Sequence, residues 1–198
     1  MTAQGWFGFV SGAASLAGIV IYAVDTIRAK SEPERVSWLI WAAQYGVLVT
    51  AQWQQGARAS LLPLAPQVVG TVFICAMSWR RGKGSVDGPS VVLMAISAAA
   101  MAAGWGARDA AAAVMLATLV ELIGGARTAL AVWRAPGTEP LLSWAALALS
   151  GLLDLGAVTP RGDPVMYIYP AGWVLMGVGI PLASWAGASK LRAGAAGG

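Results

Sequence analysis

The chain contains no histidine and no asparagine, it has one cysteine, and only 11% of its 198 residues are charged. Without histidine, and with Cys75 as the sole thiol, a zinc or haem site is not expected and no disulfide can close within the chain. The scarcity of charge argues against an ordinary soluble domain, in which about a quarter of residues are charged. Chemistry is left to carboxylates, hydroxyls, amides and aromatic rings, and no metal or cofactor is expected.

Apolar residues make up 58% of the chain and the mean hydropathy is +0.66. Seven apolar runs, near 6–25, 36–54, 60–79, 89–106, 110–133, 140–158 and 165–187, alternate with short loops that hold almost all the charge. Each run, at about 1.5 Å of rise per residue, approaches the roughly 30 Å of a hydrocarbon core. The expectation is an all-α integral membrane protein with seven transmembrane helices and the lipid bilayer as its first partner. The first run has no basic leader or cleavage region and reads as a retained helix.

Net charge is +4, from 13 Lys and Arg against nine Asp and Glu. Ten of the 13 basic residues fall in the loops after odd-numbered runs or at the C-terminus, whereas Arg58, Arg108 and Arg161 lie on the other side. The positive-inside rule then puts the N-terminus outside and the C-terminus in the cytoplasm, in a plasma (cytoplasmic) membrane. Basic residues spread over membrane-flanking loops do not form a nucleic-acid face.

Ser-Trp occurs four times, at Ser37-Trp38, Ser78-Trp79, Ser143-Trp144 and Ser184-Trp185, and the interval within each successive two is 41 residues. Aligning Ser37 with Ser143 lays the first three helices over the last three and leaves the fourth unpaired. An odd connector makes the two triplets parallel. The organisation predicted is 1–87 as the first three-helix repeat, 88–108 as a linker helix, 109–188 as the second repeat and 189–198 as a flexible tail. Serine caps helix starts and Trp favours the headgroup boundary, so the pairs read as interfacial anchors or, alternatively, as ligand contacts.

This three-plus-one-plus-three plan, with the stretch YAVDTIRAKSEPERVSW, resembles the SWEET and PQ-loop superfamily of membrane proteins. The resemblance implies a SWEET-like fold and a small-solute transporter whose halves move about the connector. The Pro-Gln pair that names the PQ-loop group would fall near Tyr22-Ala23 and Gly124-Gly125, where there is no proline. Pro66-Gln67 stands in the third helix instead, with Pro170 as its approximate counterpart. The sugar pockets of that family use asparagine, which is missing here, although Gln44, Gln52, Gln54, Gln55 and Gln67 are partial substitutes.

Carboxylates inside membrane spans cost about 2.5 to 3.5 kcal/mol at a helix centre and are functional candidates by default. Glu121 lies near the middle of the fifth run and Asp154 in the outer half of the sixth. Asp25 ends the first, where Arg28 can neutralise it. Trp38, Trp41 and Tyr45 share one face of the second helix, and Tyr167, Tyr169 and Trp173 cluster where the seventh begins. These aromatic residues read either as lipid-facing belts or as a binding surface.

Acids and aromatic faces with few nucleophiles suit a carbocation, which needs a proton donor and cation–π stabilisation. In this respect the chain is similar to small membrane-bound terpene cyclases, which start without metal by protonating an alkene or epoxide. That resemblance implies Glu121 or Asp154 as the acid and an apolar isoprenoid as substrate. The cyclase is the leading expectation, with Trp41, Tyr45, Tyr167 and Trp173 as candidate cation stabilisers; as the alternative, a transporter would use the same acids for proton coupling. A third reading, packing against a membrane partner or in a homo-oligomer, rests on the small residues of the fourth helix, SAAAMAAGWGA.

Overall fold

The computed structural model describes residues 2–54, 56, 58–106, 109–158 and 164–196. Gln55, Arg108 and Arg161, used in the sequence reading, lie outside the described residues. The seven apolar runs become seven α-helices: α1 (Ala3–Ile27), α2 (Arg35–Gln54), α3 (Leu64–Arg81), α4 (Gly88–Gly106), α5 (Ala110–Arg134), α6 (Leu141–Ala157) and α7 (Ile168–Ala196). Short 3-10 turns precede α3 and α7, and no strand occurs among the described residues. The segment expected to be a flexible tail continues α7 as helix to Ala196.

The helix boundaries have local causes. Thr2 and Asp109 accept N-terminal amides of α1 and α5, Asp87 accepts the Ser90 amide in α4, and Glu34 accepts the Ser37 amide at the start of α2. Each satisfies a donor that the first turn leaves free. Beyond α1, Ala29 turns the chain at a positive φ of 55°, and beyond α3 the turn at Gly84 needs a φ of +85°, where a side chain would be strained.

Four helical segments are long and apolar enough to cross a membrane: Ala3–Ile27, Ala59–Arg81, Ala111–Arg134 and Pro164–Ala195. The apolar stretches Gly88–Gly104 and Leu141–Ala157 are shorter. The distribution of side chains is that of a protein in lipid. Trp6, Phe9, Leu62, Val69, Leu142, Leu175 and Trp185 are exposed, while Ser11, Ser15, Gln44, Gln52, Gln67, Glu121 and Asp154 are buried. An apolar exterior around a hydrogen-bonded polar interior reverses the soluble pattern.

Six helices contact one another in a closed ring, in the order α1, α3, α2, α5, α7, α6 and back to α1. α4 lies outside it against α5 and α2, where Met94, Ala100 and Met101 cover Val36, Ile40 and Val120. The small residues of α4 are therefore used at least partly within the chain. The ring closes through two antiparallel seams, α1 with α6 and α2 with α5. Ser37 donates to the Gly124 carbonyl at 2.8 Å and Ser143 to the Gly18 carbonyl at 2.7 Å. Ser11 and Ser150 each donate to the other's carbonyl, at 2.8 and 3.0 Å.

Close approach at the seams depends on glycine. A Cβ on Gly124 would stand 2.5 Å from the Trp41 indole nitrogen, and one on Gly18 would stand 2.9 Å from Leu147. Gly124→Ala is expected to destabilise the protein by about 1–3 kcal/mol, because Trp41 must leave its place. Gly46→Ala, in the same seam's α2 but with nothing within 4 Å, should be neutral or stabilising by up to about 1 kcal/mol. Thermal unfolding of the two variants in one detergent checks the contrast; equal melting temperatures would refute it.

Candidate functional site

Two clusters fill the interior. The first centres on Glu121 of α5. Its Oε2 accepts from Gln44 Nε2 at 2.8 Å and its backbone carbonyl from Trp41 Nε1 at 3.0 Å, so α2 holds it from both sides. Tyr45 and Tyr169 also interact with Glu121. A relay leads away from it: Tyr45 donates to Gln67 at 3.4 Å, Gln67 to the Ser15 hydroxyl at 3.1 Å, and Ser15 to the Pro63 carbonyl at 2.8 Å.

Asp154 adjoins this cluster. With Gln67, Ser150, Tyr169, Pro170 and Trp173 it lines a cavity of about 10 Å³, room for about one water molecule. Tyr169 interacts with both acids and links them. Glu121 Oε1 and Gln44 Oε1 have no hydrogen-bond partner here, Asp154 interacts with the Ser60 hydroxyl, and Tyr169 with Tyr45 and Trp173. Buried polar atoms are nearly always paired in folded proteins. An unpaired buried polar atom is where water, a proton or a ligand can be accommodated.

The expected site residues thus divide. Glu121, Asp154, Trp41, Tyr45, Tyr169 and Trp173 come together in the interior. Tyr167 is half-buried and packs on the apolar core, outside the residues that line the cavity. Asp25 is half-buried, and the ion pair expected with Arg28 does not form. Of the glutamines proposed in place of asparagine, Gln44 and Gln67 belong to the cluster, Gln52 is buried elsewhere on α2, and Gln54 is exposed. Among the described residues no group of three His, Cys, Asp or Glu side chains is placed to hold a metal ion.

The second cluster lies at the end where the α1–α2, α3–α4 and α5–α6 loops meet. Tyr22, Trp38, Trp41 and Trp144 pack there with ring centroids 4.6 to 6.2 Å apart. Trp38 and Trp144 are 2% and 0% exposed, so they are core residues and not the interfacial anchors expected. Trp79 and Trp185, at 55% and 67%, keep the exposure an anchor needs. Trp38 donates to the Tyr22 hydroxyl at 3.2 Å, Tyr22 to Glu139 at 2.7 Å, and Trp144 to the same Glu139 oxygen at 3.0 Å.

Sequence reasoning missed two acids at this end because it assigned loop carboxylates to solvent. Glu34 and Glu139 are buried. The signal was available: each acid stands three or four residues before a Ser-Trp pair, in ERVSW and EPLLSW. Around them the loops are knitted together by a parallel bridge between Glu34 and Lys83, by the Glu32 amide on the Thr138 carbonyl at 2.8 Å, and by Arg35 on Gly84 at 2.7 Å. Lys83 Nζ also donates to Thr138 Oγ1. A groove of about 550 Å³ opens beside them, lined in part by Lys83, Arg127, Arg134, Leu93 and Leu130.

Glu34 forms the single ion pair found among the described residues, at 2.9 Å to Arg127. Burial pushes its carboxyl up, but hydrogen bonds from Arg127 and Ser37 outweigh that and leave it below the usual carboxylate range. A lowered acid contributes stability that is present above its ordinary value and lost as pH falls through the lowered one. Arg127→Ala is expected to cost about 2 kcal/mol at neutral pH, less than a fully buried pair because Arg127 is partly exposed. The loss should shrink in acid, where Glu34 is protonated in either protein; parallel thermal melts across pH check this. Compared with known proteins, the chain matches no family model, no curated protein and no solved structure, so the functional reading rests on this geometry.

Proposed function

We propose that the chain is a seven-span membrane carrier for a small, donor-rich solute such as an amine or polyol. In this reading α1–α3 and α5–α7 are parallel repeats joined by α4, in a plan resembling SWEET and PQ-loop proteins. The basic end faces the cytoplasm of a plasma membrane, with the N-terminus outside. One observation carries the proposal: Glu121, buried without a cation, sits on the α2–α5 seam between the two groups with an unpaired oxygen. A carboxyl so placed exchanges protons or binds a donor only when the seam parts.

Support for the repeat comes from matched seams. Ser37 and Ser143 are 106 residues apart, and so are the carbonyls they bind, Gly18 and Gly124. Trp41 and Leu147, which fill the space over those two glycines, keep the same spacing. Steric complementarity is also exchanged between groups. Ile19 of α1 packs on Gly70 of α3, whereas at the matching positions Gly125 of α5 receives Met176 of α7. The substrate class is inferred from the free atoms, since the unpaired Glu121 and Gln44 oxygens accept hydrogen bonds and call for donors.

A terpene cyclase is the second reading, favoured by Asp154, Tyr169 and Trp173 lining one cavity, an acid beside aromatic faces. A polyene needs a pocket of roughly 300 Å³ or more. The cavity beside Asp154, at about 10 Å³, would have to open widely. A carrier would have to open the same space, but the position of Glu121 between the two groups supports the carrier reading.

Counterflow of labelled amines, polyols and sugars in proteoliposomes tests the carrier. Uptake that falls at least about tenfold in Glu121→Gln, the loss expected of one essential carboxyl, supports it. No exchange of any solute, together with a cyclised isomer made from linear polyprenylated substrates and abolished by Asp154→Asn, would overturn it in favour of the cyclase.

A further inference from the structure

The loop acids reach across the ring in opposite directions. Glu34, from the loop after α1, takes Arg127 at the end of α5, while Glu139, from the loop after α5, takes Tyr22 near the end of α1. Each three-helix group therefore sends one glutamate onto the other at the same end of the molecule. The two crossings differ chemically. Glu34 has a guanidinium, whereas Glu139 has only two neutral donors, Tyr22 Oη and Trp144 Nε1, both on Oε2. Glu139 Oε1 has no partner, and the side chain is 4% exposed.

We propose that Glu139 is a proton-exchanging latch: with its carboxyl protonated the basic end is closed over Tyr22, Trp38 and Trp144, and loss of the proton accompanies opening there. The inference rests on the reading of the two groups as moving halves of a carrier. The proton resides on Oε1, the free oxygen, and leaves to water at the basic end. The product carboxylate is then hydrated as Tyr22 and Trp144 withdraw. Protons would thus be exchanged at the basic end as well as at Glu121.

Every charged or titratable group facing Glu139 bears on its sign. Burial raises the carboxyl from its ordinary 4.5 to about 7; the Tyr22 and Trp144 hydrogen bonds and the Lys83 ammonium oppose this, and Glu34 adds to it. Lys83 is itself a weakened counter-charge, since its own burial lowers it despite Glu139, Glu32 and Glu34. A carboxyl raised in the closed form binds its proton more tightly there than when exposed. The closed form is accordingly favoured at low pH and loses that advantage as pH rises through about 7.

Infrared titration of the full chain in lipid nanodiscs reads the proton directly. A carboxylic-acid band with a midpoint near 7, missing in Glu139→Gln, is expected. Tyr22→Phe and Lys83→Met should each move that midpoint upward, since both native groups favour the carboxylate. Spin labels at Arg28 and Ala135, with Cys75 replaced by alanine, report opening. The ratio of the longer to the shorter distance should rise by up to about tenfold per pH unit as the midpoint is approached from below, level off above it, and stay flat in Glu139→Gln.

A carboxylic-acid signal near 7 of undiminished amplitude in Glu139→Gln, or a distance distribution indifferent to pH, would overturn the latch. Should Glu139→Gln fail to fold, the Tyr22→Phe and Lys83→Met midpoints decide alone, and absence of both shifts overturns it. A latch that titrates and opens in a protein without solute exchange would leave the inference standing and remove the carrier. Exchange with unaltered pH dependence in Glu139→Gln would do the reverse.

Discussion

The architecture depends on helices approaching until a serine hydroxyl on one reaches a carbonyl on the next. At Ser37 and Gly124, and again at Ser143 and Gly18, the hydroxyl spans the seam because the receiving residue has no side chain. Between lipid-embedded helices there is little hydrophobic drive to associate, and dispersion plus such bonds, at about 1 kcal/mol each, must suffice. Both bonds lie one turn inside helices that begin at the loop-knitted end. Lateral packing and loop order are thus set by the same residues.

From this constraint the rest of the interior follows. Helices held so close leave little free volume, and the space between them is filled by Trp, Tyr and Gln, whose polar atoms must find partners within the chain. Most do, through Trp41 on the Glu121 carbonyl, Gln44 on the Glu121 carboxyl and Gln67 on Ser15. Where the supply of donors fails, unpaired atoms remain, among them Glu121 Oε1 and Gln44 Oε1 in the first cluster and Glu139 Oε1 in the second. A core built for stability alone would replace these groups by apolar ones, and the proposed function gives them a role there.

Much of this was legible in the sequence. The seven helices followed from apolar run length, the Ser-Trp spacing pointed to a duplicated unit although not to the seams its serines form, and Glu121 and Asp154 stood out as acids within apolar segments. Burial of loop residues was not legible, because charge near a helix end ordinarily means solvent. Glu34 and Glu139 escape that rule by finding donors supplied by distant helices, Arg127 on α5 and Tyr22 on α1. Trp38 and Trp144 were misread as anchors for the same reason: Trp suits an interface and a core alike, and only the partner of its N–H distinguishes them. Asp25 was misjudged in the other direction, since proximity in sequence to Arg28 did not produce a pair.

On the proposed repeat, the chemistry lies where the two groups stop matching. At the same spacing of 106 residues Ser15 answers to Glu121, Leu48 to Asp154, Gln67 to Trp173, Tyr45 to Gly151 and Pro63 to Tyr169. At the two Ser–Gly contacts the types match, Ser37 with Ser143 and Gly18 with Gly124, because a Cβ on either glycine would clash across the seam. The acids appear only in the second group and the Gln67 amide only in the first, so the interior cluster is assembled from unlike halves. A symmetric pair of triplets would offer a ligand two equivalent faces. On the proposed carrier reading, this asymmetry would give it one acidic wall opposite one neutral wall and orient a small solute with a donor at one end.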